Sequence, residues 1–431
     1  MSLWTSAKAA AELTPAHRNR AADFFRAAAI AVVVIGHWIV SVPQLVDGSL
    51  KFTELLSLRP WIQYLTWVVQ VMPIFFFVGG FSNAASWSSA RTDKARRDAW
   101  QASRLKRLLL PIAPLILLWA AFAGLAGYLG LDGELIQITS RAALIPVWFL
   151  AVYVMVTVVV PITYMAWERF GLGTVIALIV AAVAVDAAAF GGGFGWLRWA
   201  NYGFVWLAMH QLGYWWHSGI KAKHVPILLI LAGLVSLYLL IGQFGYPVSM
   251  ISVPGEEISN SAPPTVAMLA IGFTQAGLIL LVAGRISVWL QSSTLWAIVI
   301  LVGQRIMTVY LWHLTALLCI VALSMAVGGF GLHMTPGSGM WWLTRPIWFA
   351  AMIAVLLPLV AIFGRLEDGS RDSHASPPGP LRSVLGALCA CAGLTFMALN
   401  GTFADNALGI NIFPVAFALA GVALSTVNSR S

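Results

Sequence analysis

A chain of 431 residues in which 60% are hydrophobic and 10% charged carries less than half the charge of a soluble globular domain, where about 25% of residues are charged. That excludes a water-soluble fold, and the net charge of +9, which in a soluble protein would point to nucleic acid, gathers instead in a few short loops and reports orientation in a membrane. Cys319, Cys389 and Cys391 all lie in apolar runs, so neither a disulfide framework nor a four-ligand zinc site can be drawn, and no metal is expected.

A hydrocarbon core about 30 Å thick is crossed by roughly 20 apolar residues in a helix that satisfies its own backbone. Such runs predict spans near 22–45, 62–87, 108–130, 144–167, 173–191, 200–218, 225–243, 265–284, 306–328 and 344–363. A pair diluted by Gly, Ala and Asn follows near 384–399 and 408–426. The expected fold is all-α: a polytopic transmembrane helical bundle with a ten-helix core and two extra C-terminal spans. In chain order this divides into a cytoplasmic lead (1–21), a ten-span membrane domain (22–363), a cytoplasmic linker (364–383) and a two-span extension (384–431). The lead is long, polar and Ala-rich and lacks a cleavable signal pattern. The inner stretch 286–304 is apolar enough to lie along the membrane surface.

Placing the N-terminus in the cytoplasm puts Lys8, Arg18, Arg20, the run from Arg91 to Arg107, Arg169, Lys221, Lys223, Arg285, Arg305, Arg365, Arg371 and Arg382 inside. Only Lys51, Arg59, Arg141, Arg198 and Arg345 fall outside. The positive-inside rule therefore predicts that both termini are cytoplasmic.

Function is sought among polar groups the bilayer makes expensive, since a charge at mid-span costs about 2.5–3.5 kcal/mol on insertion scales. Arg26 and His37 stand out in the first span. Eleven helical steps return to within roughly 20° of the starting direction and rise about 16 Å, so the two share one face, the Arg toward the cytoplasm and the His deeper. Read alone, the pair also fits an Arg snorkelling to lipid phosphate and a His packed through one hydrogen bond. Asp23, three residues before Arg26, is placed to pair with it.

Arg26-x10-His37 resembles a signature of the acyltransferase-3 family of integral membrane O-acyltransferases, and four further stretches are similar in order. These are the Phe-rich run ending Gly79-Gly80-Phe81, Arg104-Leu105-Lys106-Arg107 leading to Pro111, Trp148-Phe149-Leu150 with Pro161, and Tyr310-Leu311-Trp312-His313. The chain departs from the pattern where Gly79 and Ile306 stand at positions often taken by Ser. The resemblance spans roughly 20–363 and implies transfer of an acyl group from cytoplasmic acyl-CoA, acetyl-CoA or longer, to a hydroxyl of a sugar, glycolipid or cell-surface glycan. Under it His37 is the expected general base, and Arg26, Arg104 and Arg107 the expected phosphate contacts for coenzyme A. Gly79 and Gly80 either admit the acyl-pantetheine arm or pack helices closely. Trp148, His210 and His313 are candidate acceptor contacts. A twelve-span secondary transporter and a silent membrane scaffold are the competing classes. The two halves show no convincing repeat of the kind such transporters use.

Overall fold

A computed structural model describes residues 3–15, 18–368 and 377–427. Residues 369–376 of the expected linker, Arg371 among them, lie outside the described residues, as do 1, 2, 16, 17 and 428–431. The chain opens with α1 (Leu3–Glu12) and α2 (Arg20–Val40), the second started by the Asn19 side chain, which accepts the Ala22 N–H. It then turns through a hairpin of β1 (Ser41–Val46) and β2 (Ser49–Glu54). Short helices α3 (Leu55–Leu58) and α4 (Thr66–Val69) lead to α5 (Met72–Ala90), and α6 (Lys94–Leu109) runs through one 3-10 turn into α7 (Ala113–Tyr128). Next come α8 (Gly133–Ala143), α9 (Pro146–Val158), α10 (Val160–Phe170), α11 (Leu172–Gly191), α12 (Asn201–Ser218) and α13 (Val225–Gly242). The remainder is α14 (Val266–Trp289), α15 (Ser293–Gln304), α16 (Ile306–Ala326), α17 (Gly339–Phe363), α18 (Pro380–Asn400) and α19 (Ile412–Thr426).

Among the described residues nine stretches are long and apolar enough to cross a membrane, or ten if the α8–α9 pair, bent by 43°, is one span. The protein is thus an integral membrane protein. The expected count of ten plus two is not met by this measure. Asn201, His210, Gln211 and His217 lower the hydropathy of α12, and α19 has only 15 residues. The expected span 144–167 is cut at Val159, just before Pro161, whose missing N–H and ring disfavour a continuous helix. The first span ends at Val40 rather than 45, because the chain enters the hairpin. Asp47 and Gly48 at its tip have φ of 52° and 75°, the two positive values a type I′ turn needs. The fold is therefore helical with one small sheet, not wholly α.

Contacts divide the chain into two units that interleave in sequence. The first comprises Met1–Val42, Phe52–Ser86 and Val160–Gln304; the second comprises Pro43–Lys51, Trp87–Val159 and Arg305–Ser431.

In the first unit, α1 packs on α15, burying Ala7 and Ala11 against Leu290, Trp296, Ala297 and Val299. The Trp296 indole N–H donates to the Thr14 hydroxyl at 2.8 Å, and the guanidinium groups of Arg18 and Arg20 lie 5.6 and 5.3 Å from its ring centroid. Here too the stretch Pro60–Ala90 is interrupted at Gln70, whose backbone is extended. The Gln70 side chain donates to the Met250 carbonyl at 2.7 Å and accepts the Met72 N–H at 3.1 Å, while the Gln275 amide donates to the Gln70 carbonyl at 2.7 Å. The Met250 N–H in turn donates to the Thr66 hydroxyl. Segment 244–264 is held by Asn260, which donates to the carbonyls of Pro247 and Ser249, and by Tyr246, whose hydroxyl donates to Asp186 at 3.0 Å. Burial and the neighbouring Asp186 carboxylate push the Tyr246 phenol above its ordinary pKa, so it remains a proton donor.

In the second unit, α18 and α19 meet through small residues. A Cβ at Gly386 would strike Ser425 and Gly421, one at Gly393 would strike Pro414 and Ala418, and one at Gly421 would strike Ala390. Such faces let helix backbones approach closely, the packing available when lipid removes the hydrophobic drive. The pair also lies on α6 and α9.

Trp296→Ala removes a fully buried indole and is expected to cost about 3–5 kcal/mol. The checks are a lower thermal midpoint and faster proteolysis within 3–15, with the remaining spans intact.

Candidate active site

The candidate residues are distributed over both units. Arg26, His37, Gly79, Gly80 and His210 belong to the first, and Arg104, Arg107, Trp148 and His313 to the second.

Helix α2 is unbroken from Arg20 to Val40, so the eleven residues from Arg26 to His37 are continuous helix and the common face follows from geometry. Both side chains are half-buried and flank the buried stripe of Ala27, Ile30, Val34 and Trp38. One Arg26 terminal nitrogen donates to Asp23 at 2.8 Å; Asp23 also pairs with Arg18 at 2.8 Å. The Arg26 Nε is buried without a hydrogen-bond partner among the described residues. A buried, charged N–H left in that state costs more than the about 1–3 kcal/mol of a neutral group, and an anionic oxygen would satisfy it. His37 lies in the last turn of α2, where its carbonyl accepts the Ser41 N–H, so it sits nearer the helix end than expected.

The Phe-rich run of α5 is a seam against α12. Phe76 stacks on Trp206 with centroids 4.6 Å apart, and Phe77 and Phe81 lie against Trp216 at 5.1 and 4.5 Å. A Cβ at Gly80 would collide with the His210 carbonyl, and one at Gly213 with the Phe77 carbonyl. Gly80 therefore permits backbone contact between the two helices. Gly79 is buried beside it. One turn along, the Asn83 amide nitrogen lies 3.1 Å from His210 Nε2. With that nitrogen donating, Nε2 accepts and the imidazole proton sits on Nδ1, which is buried without a partner among the described residues. Sequence reading passed over Asn83; its signal was a polar side chain one helical turn beyond the glycines.

In the second unit two of the sequence motifs come together. The Tyr310 hydroxyl donates to the Pro146 carbonyl at 2.8 Å, and Phe149 packs edge-on to the Tyr310 ring at 5.6 Å. His313 is fully buried, with Nδ1 2.6 Å from the Tyr310 carbonyl. A carbonyl can only accept, so Nδ1 carries the proton and the lone pair lies on Nε2. Trp148 is half-buried next to Phe149. Arg104 lies 5.7 Å from the Trp100 ring centroid, and the exposed Arg107 acts electrostatically on Glu367. Glu367 accepts the N–H groups of Met307 and Thr308 at 3.2 and 2.6 Å, so it caps the start of α16 where Ile306 replaces the common Ser. No local pattern announces a cap supplied from sixty residues away.

The polar pair thus lies on one face of an unbroken helix in a fold built from helices long and apolar enough to cross a membrane. A family model described as an acyltransferase domain, that of the acyltransferase-3 family, matches residues 19–365. The chain belongs to that family. Comparison with curated proteins and with solved structures found no match.

Gly80→Val places a Cβ where the His210 carbonyl stands and adds two methyl groups beyond it, and is expected to destabilise by about 1–3 kcal/mol through overpacking. Gly36→Val meets open space at its Cβ and is the control; equal loss of thermal stability in both would remove the packing role of Gly80.

Proposed function

We propose that the protein is a membrane O-acyltransferase that carries an acyl group from cytoplasmic acyl-CoA to a hydroxyl of a sugar, on a glycolipid or cell-surface glycan. The observation that supports this most directly is α2: one helix bearing a half-buried His37 and, eleven residues earlier, an arginine whose buried Nε has no hydrogen-bond partner among the described residues. His37 takes the proton of the acceptor hydroxyl as its oxygen attacks the thioester carbonyl. The tetrahedral intermediate collapses with cleavage of the C–S bond, and the imidazolium returns the proton to the departing thiolate. Arg26 offers its Nε and one terminal nitrogen to a coenzyme A phosphate, with Arg104 and Arg107 as further cationic contacts. His313, with its lone pair on Nε2, and His210 are acceptor-side candidates.

The test is transfer of labelled acetyl or longer acyl groups from acyl-CoA into glycolipid or polysaccharide by membranes containing the protein. Positioned general bases contribute about 10²–10⁴-fold, so His37→Ala and His37→Gln are both expected to lose at least that factor while still inserting and binding acyl-CoA. Near wild-type turnover in purified His37→Ala reassigns the base to another histidine.

Arg26→Ala is expected to weaken acyl-CoA affinity by about 1.5–3 kcal/mol, with only partial recovery in Arg26→Lys because the planar fork is lost. Unchanged affinity makes Arg26 a topological charge. The same reading places both termini and the run 91–107 in the cytoplasm. A cysteine at Thr92 is then shielded from an impermeant reagent outside intact cells, and labelling there reverses the orientation.

A further inference from the structure

The second unit contains a cavity of about 540 Å³ formed where the α7–α8 turn meets the loop joining α18 to α19. One wall belongs to the family-matched residues 19–365 and the other does not. The loop is built as a wall rather than a loose connection. Thr402 donates its N–H to Ser140 and its hydroxyl to the Trp119 carbonyl at 3.3 and 3.0 Å, and Gln137 donates to the Asn400 carbonyl at 3.2 Å. Within the loop, the Asn411 N–H donates to the Thr402 carbonyl, and the Asn406 side chain donates to Ile410 and accepts from Leu408. Glycines let it approach: a Cβ at Gly133 would come within 2.9 Å of the Phe403 ring, and one at Gly124 within 3.0 Å of Ile410.

The lining has a specific chemistry. Tyr128 and Phe403 supply aromatic faces, and Glu134, Asp405 and Gln137 supply oxygen acceptors. Glu134 and Asp405 are exposed and make no hydrogen bond or ion pair through their carboxylates among the described residues. Among the described residues no Lys or Arg lines the cavity, so a phosphate or carboxylate ligand would meet like charge without compensation. An apolar ligand would strip water from two carboxylates. A ligand rich in hydroxyl donors, with flat C–H faces to lie on aromatic rings and no negative charge, satisfies every group present. The volume lies within the roughly 300–1,000 Å³ of small-ligand sites.

We infer that this cavity binds a neutral carbohydrate, free or as a lipid headgroup, and that α18 and α19 serve to complete that site. The inference rests on the acceptor class and the orientation proposed above, which put the cavity outside. There it holds a sugar unit of the acceptor.

The full chain is placed in phosphatidylcholine nanodiscs with EDTA and without acyl-CoA, and saturation-transfer NMR is recorded with maltose, cellobiose and lactose. At least one is expected to receive saturation at its ring C–H protons. Tyr128, 88% exposed, and the exposed carboxylates can be changed without disturbing packing. Tyr128→Ala and the double variant Glu134→Gln/Asp405→Asn are each expected to weaken that binding at least fivefold. In a second arm, nanodiscs carrying digalactosyl diacylglycerol displace the free sugar if a headgroup is the natural occupant, and fail to do so if a free glycan is. Absence of transfer to all three sugars overturns the inference, as does binding unchanged in the variants or a preference for a sialylated over a neutral sugar. Because no acyl-CoA is present, these outcomes bear on the cavity alone. Failure of the wild-type protein to consume acyl-CoA bears on the transfer reading alone.

Discussion

Inside a bilayer a backbone N–H or carbonyl that leaves a helix finds no water, so each must be met by another part of the protein. The interruption at Gln70 shows how this chain meets that demand. The Gln70 side chain bridges the Met250 carbonyl and the Met72 N–H, Gln275 reaches the Gln70 carbonyl, and Thr66 receives the Met250 N–H. One break in one helix thus recruits α14 and the long loop before it. Asn260 and Asp186 then hold that loop. A polar residue that looks wasteful in an apolar stretch is, at these positions, what allows the stretch to bend.

The membrane class, the helical character and most helix positions were legible in the sequence, because hydropathy over about twenty residues is a strong local signal. The departures share a cause: each depends on something hydropathy does not measure. The hairpin after Val40 has its signal in Asp47-Gly48, a two-residue turn just past the apolar run that hydropathy reads as one span. The docking of α1 depends on Trp296, nearly three hundred residues away. The composition that weakened the reading of the last two spans is the composition their packing requires. Gly386, Gly393 and Gly421 lower hydropathy and, by lacking a side chain, let the two helices touch.

For the candidate site, the sequence supplied residue types and their helical phase but not their partners. The phase of Arg26 and His37 follows from an unbroken α2. The pairing of Asn83 with His210, the joining of Tyr310 to Pro146 and the capping of α16 by Glu367 all connect residues far apart in the chain. The family resemblance names Arg104 and Arg107 beside Arg26 as phosphate contacts, although a basic inner loop is also what topology alone demands. Their surroundings separate them: Arg104 lies by Trp100 and Arg107 acts on Glu367, so each already has an intramolecular role. Arg26 retains a buried N–H that no group among the described residues accepts.

That difference sorts the buried polar groups more generally. Asp186 accepts from Asn201, Tyr246 and the Val266 N–H, and Glu367 accepts from three groups at the start of α16. Fully satisfied carboxylates of this kind hold helix ends in place and leave little capacity for a ligand. An unsatisfied donor is the opposite case, but it is informative only when nothing else compensates it. Arg345 also has a buried Nε without a hydrogen bond among the described residues, yet its guanidinium lies 4.2 and 4.9 Å from the Trp341 and Trp348 ring centroids, and the indole faces offset part of the loss. Arg26 has no such ring contact among the described residues, and its carboxylate partner is shared with Arg18. Of the two arginines it is therefore the one whose environment leaves positive charge to be matched, on the helix face that also carries His37.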